Sequence, residues 1–244
     1  MSNEIISFIK NSKYENFDKL VIDEAKKCLL DTVGSCIAGS STKLSRIIND
    51  FSKKYYKGDD ANSFVHGTKM SQLGALFVSA MSIDAFDMHD GHVLTKGHVG
   101  VSVISAALLI HCEKNITGKE LLANIVIGYE IATRAGMALH NSVDDYHTSG
   151  AWNSLGVCAI ACRVLNLNEE EIKHALGICE FYAPRSQMMK IIDAPTMLKD
   201  GSGFGSFVGL KAALLAQAGF TGAPSLLLFS KKNRKLLGKF IRKV

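Results

Sequence analysis

The first 183 residues of this 244-residue chain contain no proline, and only Pro184, Pro195 and Pro224 follow. Proline removes a helical hydrogen bond and clashes with the preceding turn, so a long stretch without it leaves continuous helices open to the chain. Apolar residues recur through that stretch at helical period, which together with the missing prolines predicts an all-α protein with strands in a minority. With 47% hydrophobic residues the chain is long enough to bury a sizeable core, in one or two domains.

Helix ends can be read at several places. In "DKLVIDEAKKCLLDTVGSCIAG" Asp18 is a candidate cap, Leu20, Val21, Ala25, Cys28, Leu29 and Val33 define a face, and Gly39 is a stop. The polar stretch 40–70 includes "SFVHGTK", a short strand or loop in which His66 reads as structural. A helix resumes at Ser71, and another runs from Val99 to about Cys112. Thr117 with Glu120, and Asn168 with Glu171, have the spacing of capping boxes before two further helices. Between those lies "HTSGAWNSLGVCAIACRVLNL", whose small residues Gly150, Ala151, Ser154, Gly156, Ala159 and Ala161 predict the central, most enclosed helix of a multi-helix bundle.

Six cysteines occur without a C-x-x-C pair and without a secretory signal at the N-terminus, a pattern of reduced thiols in a cytoplasmic protein. The longest apolar runs fall short of the ~20 residues of a membrane span. The net charge of +5 does not point to nucleic acid, because residues 1–230 carry 21 basic against 23 acidic side chains. The excess sits in the last fourteen residues, "KKNRKLLGKFIRKV", where Leu236, Leu237, Phe240, Ile241 and Val244 have helical spacing.

Chemistry concentrates in "FDMHDGHVLTKGHVG", residues 86–100, set between two apolar helices. Its aspartates and histidines admit three readings. They could ligate a metal, with His89-Asp90 as the HD pair of a metal phosphohydrolase, although such a site needs ligands from other helices. They could transfer protons near neutral pH. Or Asp90-Gly91 could turn the chain while polar residues cover a helix end. His147, at the start of the small-residue helix, has the position of a neutral base facing a carboxylate, since a helix N-terminus disfavours a protonated imidazole. "KDGSGFGS", from Lys199, is neither a P-loop nor a dinucleotide fingerprint, and its glycines read as a helix start offering backbone N–H groups to an anion.

Three stretches, "FDMHDGHVLTKGHVGVSVISAALLI", "YHTSGAWNSLGVCAIACRVLNLNEEEIKHALGI" and "PTMLKDGSGFGSFVGLKAALLAQAGFTGAP", resemble in order and separation the signature regions of the MmgE/PrpD family. The resemblance runs from about residue 4 to Ser225, which defines a helical domain over 1–225 and sets apart an atypical basic tail, 226–244. It implies the helical domain of a cofactor-independent enzyme, usually a homodimer, acting on a small di- or tricarboxylate: a dehydratase, a decarboxylase or an epimerase. It implies no metal.

By the same resemblance Asp87, Asp90, His98, His147 and Lys199 line the active site, with Gly201 to Gly205 as active-site backbone. Dehydration, decarboxylation and epimerisation can share a carbanion or enolate beside a carboxylate, so His98 and His147 are the acid/base candidates and Lys199 the electrostatic stabiliser. Asp87 or Asp90 would orient an imidazole. Lys96, Arg185, Gly201 and Gly203 are the candidate substrate contacts. Family members continue after the "GFTGAP" region into a lid domain that this chain lacks, so the expectation is a lyase or isomerase incomplete without a lid half on a separate polypeptide. The alternative is a non-catalytic helical module for dimerisation or partner binding, or a fragment.

Overall fold

A computed structural model describes residues 2–233; the helically spaced apolar positions of the tail, Leu236 to Val244, lie outside the described residues. The chain is all-α as expected, with eleven α-helices and a single short hairpin among the described residues. After α1 (Ser2–Asn11) come α2 (Lys19–Ser40) and α3 (Lys43–Tyr55). The hairpin pairs β1 (Ala61–Asn62) with β2 (Lys69–Met70), and His66 in its loop lies 2.8 Å from the Ser45 hydroxyl, a structural contact. Then follow α4 (Gln72–Phe86), α5 (Gly100–Lys114), α6 (Gly118–His140), α7 (Gly150–Val164) and α8 (Glu169–Tyr182). The short α9 (Met189–Asp193), α10 (Ser202–Gln217) and the single turn α11 (Leu226–Phe229) complete the order.

The small-residue helix is central. Every residue of α7 from Gly150 to Cys162 is buried, and the helix packs against α5, α6, α8 and α10. Gly156 makes that closeness possible: a Cβ there would lie 2.9 Å from the Ala132 and Val103 side chains. Helix α4 is also enclosed, buried continuously from Gly74 to Asp84, so its pattern is that of a helix buried all round rather than one with a broad apolar face.

Three boundary readings needed adjustment. Asp18 occupies the N-cap of α2 but makes no side-chain capping bond, and the helix passes Gly39 to end at Ser40. Thr117 does cap α6 through the Glu120 N–H, but Glu120 does not reach back; its carboxylate instead takes two bonds from Arg163, at 2.9 and 2.7 Å. Asn168 and Glu171 form the full reciprocal box at α8. The segment from residue 226 begins inside the bundle, with Leu227 and Leu228 buried and their N-terminal turn held by Glu180. Among the described residues no helix is long and apolar enough to cross a membrane.

Candidate active site

The loop between α4 and α5 is built by its own polar residues. Helix α4 ends on Asp87 in the left-handed conformation (φ 56°), which a short polar side chain tolerates better than a branched one. A tight turn over Val93–Thr95 follows, closed by Lys96 (φ 47°) and a bridge between His92 and Gly97. No side chain at the first position of α5 caps it. Asp90 does so from ten residues upstream: one carboxylate oxygen accepts the Gly100 N–H at 2.9 Å, and the other accepts the Tyr129 hydroxyl of α6 at 2.9 Å.

That arrangement fixes His98. Its Nδ1 lies 2.7 Å from the main-chain carbonyl of Asp90, which can only accept, so Nδ1 carries the proton and the neutral ring presents a bare Nε2. Its N–H donates to the Ser149 hydroxyl at 2.9 Å, and the Asn153 amide donates to its carbonyl at 3.2 Å, which ties the loop to α7. Nε2 faces Asp87, 3.8 Å away, and the other Asp87 oxygen lies 3.7 Å from the Lys199 ammonium. Asp87, His98 and Lys199 thus converge from two distant parts of the sequence, all partly open to solvent.

His147 is buried just before α7. Its Nδ1 donates to the Asp145 carbonyl at 3.1 Å, and its Nε2 has no partner among the described residues. Burial, more than the helix N-terminus anticipated from the sequence, pushes its pKa down, and Arg185 and the stacked His140 ring, 4.2 Å away, work in the same direction. Arg185 itself pairs with Asp145. Lys96 is exposed, and its carbonyl accepts the Tyr146 hydroxyl at 2.8 Å. Gly201 (φ 74°) sets the left-handed turn that starts α10, and Gly203 lies buried against Met81 in the first turn.

Two carboxylates that the sequence reading passed over lie beneath this surface. Asp200 is buried next to Lys199 and accepts the Ser149 N–H at 2.7 Å. Burial pushes its pKa up to about 6, and Asp84 adds to the rise. Asp84, fully buried in the last turn of α4, lies 3.5 Å from His89, whose side chain is wholly enclosed. The HD pair is therefore split: His89 turns inward to Asp84, while both Asp90 oxygens serve Gly100 and Tyr129. Among the described residues no three His, Cys, Asp or Glu side chains converge as metal ligands. Two apolar cavities of about 270 and 320 Å³ flank α2, lined by neither His98 nor Lys199.

Fold and site together describe an α-helical domain that exposes a histidine, a lysine and an aspartate on one open face, suited to proton transfer beside an anion. The sequence from residue 3 to 233 matches the MmgE/PrpD N-terminal domain, and the chain belongs to that family. It is 27% identical to a cis-aconitate decarboxylase of Homo sapiens over 85% of this chain and 44% of that protein. It is 23% identical to the cis-aconitate decarboxylase-like protein oryM of Aspergillus oryzae, over 90% of this chain and 47% of the relative. A cis-aconitate decarboxylase of Aspergillus terreus is 20% identical over 93% and 48%. The chain spans about half the length of the curated relatives it matches.

Proposed function

We propose that this chain is the helical half of a lyase or isomerase that acts on a small di- or tricarboxylate by acid/base chemistry, with cis-aconitate the first substrate to test. The observation that carries the reading is the His98 imidazole, with its proton held on Nδ1 by a carbonyl and its bare Nε2 turned toward Asp87, whose other oxygen approaches the Lys199 ammonium. A base beside an ammonium suits removal of a proton next to a carboxylate, whereas loss of CO₂ needs no base and leaves a carbanion that the lysine can stabilise and that a protonated imidazole must then protonate. His147, kept neutral by burial and with a bare Nε2, is the second acid/base candidate. Arg185 is a weaker anchor than its charge suggests, because Asp145 already occupies it.

The open face supports a second part of the reading: the site is completed by a further polypeptide surface, as a lid half or in a homodimer. Met88, Val93, Leu94 and Leu198 surround Asp87 and Lys199 in sequence and are among the most exposed large apolar side chains, Val93 at 89%. Burying such a rim is favourable by ~25 cal/mol per Å² of apolar surface.

The test is turnover of cis-aconitate, 2-methylcitrate and iminodisuccinate by the chain alone and with a separately expressed lid half. Activity should appear with the lid half and fall at least ~100-fold in both His98→Ala and Lys199→Ala, the usual contribution of a positioned acid or base. Turnover that survives both substitutions, or none on any acid with a lid half shown to bind, would overturn the proposal.

A further inference from the structure

We propose that Asp84 and His89 hold one proton between them beneath His98 and act as its positioning pair, so that the orientation of the exposed imidazole is set from inside the bundle. The inference rests on the reading of His98 as the acid/base group.

The pair is enclosed to an extent that its chemistry must explain. Asp84 and His89 side chains are 1% and 0% exposed, and among the described residues neither has a hydrogen-bond partner other than the 3.5 Å approach of His89 Nε2 to Asp84 Oδ1. A lone carboxylate in such a place is costly, whereas a carboxylate sharing a proton with an imidazole is not. The His89 ring then meets the His98 ring edge to face, with centroids 4.3 Å apart and planes at 61°. That contact hinders rotation of His98 away from the Asp90 carbonyl.

Other charges facing the pair are consistent with a held proton. Asp87 and Asp90 lie on its own loop, Asp200 and Lys199 approach from the turn before α10, and Tyr129 of α6 reaches the group through Asp90. Burial lowers the His89 pKa, but Asp84 first, then Asp90 and Asp87, outweigh it and the net shift is upward. The carboxylates near His89 therefore outnumber the cations.

The experiment is ¹⁵N–¹H spectroscopy of the histidine rings in the full chain at neutral pH, which reports the protonation of each ring nitrogen and needs no activity. In the wild-type chain His89 should show both nitrogens protonated, and His98 a protonated Nδ1 with a bare Nε2. In Asp84→Asn, His89 should revert to a neutral ring and His98 to an averaged mixture of tautomers. Should that variant not fold, Asp84→Leu/His89→Ala removes both the charge and the ring packed against His98, and its His98 signal should average in the same way. A neutral His89 in the wild type, or a His98 signature unchanged in a folded variant, would overturn the proposal. Loss of turnover in every assay with these signatures intact would instead sink the proposed function and leave the pair standing.

Discussion

Asp200 shows how a single buried group can govern the response of the whole fold to pH. Its carboxyl titrates near pH 6 in the folded chain and near 3.8 when exposed. Between those values the folded chain holds a proton that the unfolded chain has released, so the group's contribution to stability falls as pH rises from about 4 to about 6 and is constant above. The shift corresponds to about 3 kcal/mol. In Asp200→Asn the side-chain oxygen can still accept the Ser149 N–H while the charge is gone. Urea unfolding of both proteins from pH 4 to 7 should show the difference between them growing in the variant's favour up to about pH 6. A constant difference across that range would mean that Asp200 is not held protonated. Asp87, His98 and Lys199 are singled out by the family resemblance of the short polar motifs that carry them. The sequence hid Asp84 and Asp200 for opposite reasons: one is the single charge in an otherwise apolar helix, and the other stands in a glycine-rich run whose burial depends on α7. Asp84 did leave a signal, since an acid at a core-facing position of a helix needs an internal partner.

At the scale of elements, local rules read well and long-range partners did not. The caps at Thr117 and Asn168 depend on atoms within three residues, so spacing alone revealed them. Glu120 was misassigned because its partner, Arg163, lies 43 residues further along. That arginine is a junction. From α7 it donates to Glu120 near the start of α6, and to the main-chain carbonyls of Ile9 and Lys10 at 2.8 and 2.9 Å, where α1 exposes its unpaired C-terminal acceptors and the negative end of its dipole. Arg163→Ala removes these charge-assisted bonds together and should cost about 2–3 kcal/mol. The loss should be local, with amide exchange accelerating in α1 well before α7, because α1 is held to the bundle along one face while α7 is enclosed on all sides. Uniform acceleration through both helices would show that the arginine supports the bundle as a whole.

At the scale of the molecule, the all-α bundle with α7 at its centre follows from two features visible in the sequence, missing proline and clustered small residues, whereas the open face does not. Whether an apolar residue is covered depends on what packs over it, and Val93 and Leu94 read no differently from core residues until α4 and α5 are seen to turn them outward. If a lid half completes the site, its binding should slow amide exchange in the loop spanning residues 86–100 and in residues 188–199, where Asp87, His98 and Lys199 stand, and leave the buried amides of α7 unchanged. Val93→Ser/Leu94→Ser removes exposed apolar area from the loop that carries Asp87 and His98, so it should weaken association by at least ~10-fold, about 1.4 kcal/mol, while the melting temperature of the isolated chain stays the same. Isothermal titration of the lid half against both proteins gives the comparison. Equal affinities, with protection confined to the grooves beside α2, would place the cover on the opposite side of the bundle and leave His98 and Lys199 facing solvent.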